Sequence, residues 1–164
     1  MSLEIKSIDK AAVPALAALA KTIWNEYFTP IIGKAQVDYM LEKFQSEQAM
    51  TQQLKDGMKY IGAYADGELA GYSCYKLEEN ALFLSKLYIR CDKRGCGIGK
   101  AMFMYELEAA TSEGKEKIYL TVNKHNTDTI ALYEHLGFVN VKSIVTDIGG
   151  GFVMDDYVME FAVR

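Results

Sequence analysis

Several residue types are scarce in this chain of 164 residues, which has two prolines, two histidines and three cysteines. The cysteines, Cys74, Cys91 and Cys96, are odd in number and form no CxxC pair. That argues against a disulfide framework or a zinc site and for a reducing, cytoplasmic compartment. His125 and His135 are too few for a His-rich metal site, so no metal is expected. Excess positive charge is also missing. Lys and Arg number 18 against 22 Asp and Glu, for a net charge of -4 and a pI near 5.2, which disfavours a broad nucleic-acid surface. No apolar run is long enough to cross a bilayer. The segment "AAVPALAALA" (11–20) has the look of a secretory leader, but the charges before it, Glu4, Lys6, Asp9 and Lys10, cancel, and a leader needs a positive start. It reads instead as the first helix, with Asp9 as its cap. Linkers, internal repeats and low-complexity stretches are absent, which leaves a single domain, 1–164, with room for a real core.

What is present changes period along the chain. Residues 3–8 read as a short strand and 10–28 as a helix starting near Pro14; Pro30 and Gly33 then break the chain. Val37, Met40, Leu41 and Phe44 follow the i, i+3, i+4, i+7 spacing of a helix face, and Ser46 caps a further short helix that ends before Gly57. From residue 58 the pattern is that of strands. "MKYIGAYA" and "ELAGYSCYKL" flank Asp66-Gly67, a hairpin turn, and Glu79-Asn80 turns into "ALFLSKLYI" (81–89). After a glycine loop, Ile98, Ala101, Met102, Tyr105 and Ala109 form a helical stripe ended by Gly114. "KIYLTV" (117–122) is a strand, 126–136 a helix stopped by Gly137, and two closing strands surround Gly149-Gly150-Gly151. The unit at 82–122 requires a right-handed crossover between parallel strands. The fold class is α/β (α+β): one central mixed, mostly antiparallel sheet of about seven strands with helices on both faces.

The stretch "RCDKRGCGIGKAMF" (90–103) is the most informative. Gly95, Gly97 and Gly99 alternate, Arg94 and Lys100 flank them, and a helix follows. Such a loop exposes unpaired backbone N–H groups at the positive end of a helix dipole, and glycines let an anion come close. Phosphate or pyrophosphate is the natural ligand, and a tight strand-to-helix turn is the plain alternative. A P-loop is excluded, because its first glycine falls on Arg94 and its hydroxyl on Ala101. A dinucleotide fingerprint fits poorly, because the following strand ends at Val122-Asn123 without an acid.

"RGCGIG" (94–99) resembles the R/Q-x-x-G-x-G/A signature of the GCN5-related N-acetyltransferases. "NKHNTDTIALYEHLGF" (123–138) resembles that family's N-x-x-A-x-x-x-Y-x-x-x-G-F region, and the two blocks lie at the family's usual separation. "TIWNEYF" and "VDYML" are similar to the spermidine/spermine-type branch. The resemblance implies that residues 58–164 form a cofactor-binding core and that helices within 1–57 shape the acceptor site. It implies coenzyme A as the anion, with the backbone of Gly95, Cys96, Gly97, Ile98, Gly99 and Lys100 cradling the pyrophosphate. Arg94 would stand at the signature's first position, and the pantetheine arm would pair along Leu87, Tyr88 and Ile89. It implies direct transfer from acetyl-CoA to an amine, with a backbone N–H near Leu87 facing the thioester oxygen and Tyr133 protonating the departing thiolate. Asn126 is expected first to cap its helix, with a cofactor contact as an added role.

The family's strand-borne glutamate base is missing, since Leu84-Ser85-Lys86-Leu87 occupies that place. Glu26, Asp38, Asp155 and Asp156 are candidate replacements, each expected rather as a surface charge. Cys96 is expected as a small filler without covalent function. Trp24, Tyr27 and Phe28 have the spacing of a helix core face and could equally line an acceptor pocket. The expected function is N-acetyl transfer (EC 2.3.1.-) to a small amine or polyamine. A protein N-terminus or lysine as acceptor, and a non-catalytic coenzyme A-binding module, stay open, as does a homodimer through the last strand. No nucleic-acid or membrane partner is expected.

Overall fold

The computed structural model describes residues 2–164, with Lys86 described through its backbone alone. Strand β1 (Leu3–Ile8) leads through a 3-10 turn into α1 (Val13–Tyr27), α2 (Thr29–Ile32), α3 (Lys34–Phe44) and α4 (Glu47–Lys55). The meander β2 (Lys59–Ala65), β3 (Glu68–Leu77) and β4 (Ala81–Ile89) follows. Then come α5 (Ile98–Ser112), β5 (Lys117–Asn123), α6 (Thr127–Leu136), β6 (Val139–Gly149) and β7 (Phe152–Ala162). The seven strands form one sheet in the order β1-β2-β3-β4-β5-β7-β6, in which β4 and β5 are parallel and every other pair antiparallel.

Local chemistry accounts for the element ends. The Ser46 hydroxyl accepts from the Ala49 N–H and caps α4 as expected, whereas the Asp9 side chain accepts from the Ala11 N–H and caps the 3-10 turn that leads into α1, not α1 itself, which has no side-chain cap. Asp66 and Gly67, at φ 52° and 84°, make the tight hairpin between β2 and β3. Pro30 does not break the chain as expected. It sits in the first turn of α2, where a missing N–H costs nothing, and Gly33, at φ 88°, makes the break.

The two sheet faces carry separate cores. Tyr60, Tyr72 and Cys74 point toward α1, α3 and α4, joining Leu16, Trp24, Val37 and Met50. Ile61, Leu82, Leu84, Ile118 and Leu120 point toward α5 and α6, joining Met102, Phe103 and Tyr133. The buried face of α5 is rotated from the expected stripe: Ile98 and Met102 are buried, but so are Phe103, Glu106 and Ala110, while Ala101, Tyr105 and Ala109 are half-buried. Apolarity misled here because a carboxyl, Glu106, occupies a core position.

Two irregularities open the sheet at its centre. β4 pairs with β5 only over Ala81–Phe83 against Lys117–Tyr119, although β4 runs on to Ile89 and β5 to Asn123. The β3–β4 register also slips between Cys74↔Lys86 and Tyr75↔Leu84, which leaves Ser85 as an extra residue, a β-bulge. A bulge bends its strand and increases local twist, so β4 veers from β5 and leaves a cleft edged by unpaired backbone.

Candidate active site

The three glycines serve two different needs. Gly95 and Gly97 take φ of 77° and 82°, in the left-handed region, and a Cβ on either would meet nothing within 4 Å. They are needed for conformation, and the space beside them is open. Gly99 has the opposite reason. A Cβ there would stand 3.2 Å from Ile89 Cδ1 and within 3.6 Å of Leu132 and Leu87, so the glycine lets α5 press against β4. Gly97 caps α5 without any side-chain hydrogen bond, so the first-turn N–H groups of the helix face outward unpaired.

These groups line a cavity of about 250 Å³. Its wall includes Leu87, Tyr88, Ile89, Arg94, Gly95, Gly97, Ile98, Gly99 and Lys100, closed on the far side by Tyr27 and α6. Of the residues expected around the anion, Cys96 alone among the loop positions is off this wall. It is exposed, and its thiol lies 3.8 Å from the Arg94 carbonyl. Lys100 is exposed and free to add charge to the groove. Arg94 lays its guanidinium over the Tyr27 ring, 4.4 Å from the centroid, and so ties the loop to α1. Arg90, by contrast, is engaged by Glu68 and Asp92.

A second cavity, of about 240 Å³, adjoins the first through the shared residues Leu87, Tyr88 and Thr129. It occupies the cleft between β4 and β5, with Phe83, Ser85, Thr121 and Asn123 on its walls, and reaches α1 and α3 at Trp24, Phe28 and Met40. Trp24 and Phe28 therefore satisfy both expectations: they are packed in the core and they line the pocket. Tyr27 lies on the other cavity.

Tyr133 is 4% exposed and borders the second cavity. Burial, with smaller contributions from Tyr88 and Glu106, pushes its hydroxyl well above the ordinary tyrosine value. The group therefore keeps its proton. Asn126 departs from expectation, because its side chain does not cap α6. Its carboxamide oxygen accepts from the Tyr27 hydroxyl, which also lies 3.4 Å from Thr129 Oγ1, and the residue is buried on the second cavity's wall. With its backbone at ψ 65°, it braces α1 against α6 instead.

The four acidic candidates separate clearly. Glu26 is exposed, Asp38 pairs with Lys34 at 2.6 Å, and Asp155 pairs with Lys124 at 2.9 Å. Asp156 is not the surface charge expected: it is 3% exposed and lines the second cavity. Burial, helped by neighbouring Asp155 and opposed by Lys124, pushes its carboxyl up to about 6. Strand parity carried the signal. Asp155 and Asp156 are adjacent in β7, so they must point to opposite faces, and Asp156 shares its face with Met154 and Val158. Among the described residues, no group of three or more His, Cys, Asp or Glu is arranged to hold a metal ion.

The model of the Acetyltransferase (GNAT) family matches residues 18–138, which takes in both cavities' principal walls. The chain belongs to that family. It is an N-acetyltransferase with the GNAT fold. Spermidine N(1)-acetyltransferase of Thermoplasma acidophilum is 24% identical over 160 residues, 94% of this chain and 97% of that one. Spermine/spermidine N(1)-acetyltransferase of Bacillus subtilis is 30% identical over 89 residues, 49% of this chain and 59% of that one. The crystal structure of PaiA N-acetyltransferase from Thermoplasma acidophilum in complex with coenzyme A superposes at a TM-score of 0.82, with 22% identity and 99% coverage of both chains. Among the described residues, no helix is long and apolar enough to cross a membrane.

Proposed function

We propose that this GNAT member transfers the acetyl group of acetyl-CoA directly to the primary amine of a small molecule. The observation that carries this reading is the pair of adjoining cavities meeting at Leu87 and Tyr88, one floored by unpaired helix N–H groups, the other holding a protonated tyrosine and a buried carboxylate. The residues present fit coenzyme A. The open space beside Gly95 and Gly97 admits phosphate oxygens, the helix end and Lys100 supply positive charge, and the unpaired edge of β4 offers backbone partners to an amide-bearing arm. In this reading a backbone N–H near Leu87, re-aimed by the bulge at Ser85, donates to the thioester oxygen as charge builds on it. Tyr133 donates its proton to the departing sulfur, and its buried hydroxyl is uncharged and ready to do so. Holding both reactants in adjoining cavities supplies much of the rate.

The relatives named for spermidine and spermine support amines, polyamines among them, as the first acceptors to assay. A small acceptor is favoured over a protein segment because the second cavity is only about 240 Å³ and is walled on the helical side by Trp24, Phe28 and Met40.

Calorimetric titration with acetyl-CoA tests the cofactor half. Binding by the wild type that is lost in Gly97→Glu is expected, because a carboxylate at that left-handed position would fill and repel the phosphate site. No binding by the wild type would reduce the loop to a structural turn. Turnover with an amine panel tests the other half: cofactor binding without acetylation of any amine would make the chain a binding module.

A further inference from the structure

The walls of the second cavity say more about the acceptor than the family does. Of the described residues that line it, Asp156 is the single one that carries charge. Trp24, Phe28, Ile32, Met40 and Met154 are among its apolar lining residues, and the polar ones, Gln36, Ser85, Thr121, Asn123, Asn126 and Thr129 with Tyr88 and Tyr133, carry no charge. Trp24 and Phe28 stack at 4.4 Å, and Tyr88 packs edge-on against both, so three rings form one continuous wall. A polycation placed here would put one ammonium at Asp156 and leave its remaining ammonium groups among uncharged side chains, aromatic and aliphatic ones prominent, where a charge without a counter-charge is costly. An amine with a single nitrogen and an apolar body meets no such penalty and gains by burial.

We infer that the preferred acceptor is a primary monoamine carrying an alkyl or aryl body, received at its nitrogen by Asp156, which takes its proton. This rests on the acetyltransferase reading above. The ammonium gives one proton to the Asp156 carboxylate. The freed nitrogen forms the C–N bond to the thioester carbonyl carbon, and the C–S bond breaks. The sulfur takes a proton from Tyr133, which is reprotonated through water by the second nitrogen proton. One proton is released overall when Asp156 returns to its charged form. The groups that face Asp156 leave it suited to the task. Asp155 lies beside it, with Lys124 engaged by Asp155, and Tyr88 presents a neutral hydroxyl from β4. Asn123 opposes it on β5 and Ile144 on β6.

The test compares kcat/KM for hexylamine and phenethylamine with that for putrescine and spermidine, using protein first shown to bind acetyl-CoA. The monoamines are expected to lead by about tenfold or more, because the second ammonium finds no counter-charge on the wall. Met154→Glu, a half-buried wall position, should narrow or reverse that ratio by giving a second ammonium a partner. With Asp156 as proton acceptor, kcat/KM for hexylamine rises tenfold per unit below pH about 6 and then levels. In Asp156→Asn it instead keeps rising with pH toward the amine's own value of about 10, because only the free base reacts. A preference for spermidine by a similar factor, or wild-type and Asp156→Asn profiles of the same shape, would overturn the inference while leaving the acetyltransferase reading in place. Absence of acetyl-CoA binding would overturn both.

Discussion

Glu106 offers a test of the fold that is independent of activity. Its carboxyl is 0% exposed within α5, where it accepts a 3.0 Å hydrogen bond at Oε1 from the Ser73 hydroxyl, and Oε2 is buried with no hydrogen-bond partner among the described residues. Burial pushes this carboxyl well above its ordinary value, and the Ser73 bond opposes the shift only in part. The native state therefore keeps a proton that the unfolded chain releases above pH about 4.3. Because the folded value is the higher one, the native state binds more protons in that window and stability falls as pH rises. The stabilising contribution is fully present below the unfolded value and is lost up to the folded one. The slope is about 1.4 kcal/mol per pH unit while the two values bracket the pH. Glu106→Gln removes the titration but keeps an oxygen for Ser73. In urea unfolding with a slope of about 2 kcal/mol per molar, the variant's midpoint should gain about 0.7 M on the wild type for each pH unit above 5. Parallel midpoints across pH 5 to 8 would show the reasoning to be wrong, and a wild type that gains on the variant would mean that Glu106 is ionised and paired.

Tyr133→Phe should lower kcat by roughly 10²–10⁴-fold while leaving the acetyl-CoA affinity from calorimetry nearly unchanged, since it removes only a proton donor. Unchanged turnover across pH would remove Tyr133 from the chemistry. Gly150→Ala should lower the melting temperature and raise KM for the amine, because its Cβ would stand 2.9 Å from the Tyr39 ring at a φ of 62°. Tyr39 and Lys43 both donate to the Ile148 carbonyl there, so the β6–β7 turn is held against α3; the cost should fall near 1–3 kcal/mol, and a variant as stable as wild type would show the turn to be loose. Gly99→Ala should destabilise by about 1–3 kcal/mol for a different reason, the contact with Ile89, and thermal unfolding would reveal it.

Local signals in the chain determined a good deal. The hairpin at Asp66-Gly67, the cap at Ser46 and the switch from helical to strand period near residue 58 rest on backbone preferences of a few adjacent residues, and each is found where it was expected. The mixed sheet and the glycine loop opening α5 followed from the same reasoning. Tertiary structure decided what depends on which neighbours arrive from elsewhere. Asn126 has a capping residue's chemistry, yet the Tyr27 hydroxyl reaches its carboxamide from a helix about a hundred residues earlier in the chain. Glu106 is polar, yet helix packing rotates it into the core opposite Ser73. Asp155 and Asp156 are the same residue type one step apart, and the pleat of β7 sends one to Lys124 and the other into the cavity. Burial belongs to a position in the assembled fold, because it takes α1, α3, β4 and β7 together to exclude water from Asp156. That exclusion is what separates Asp156 from the ordinary surface carboxylate its residue type suggests.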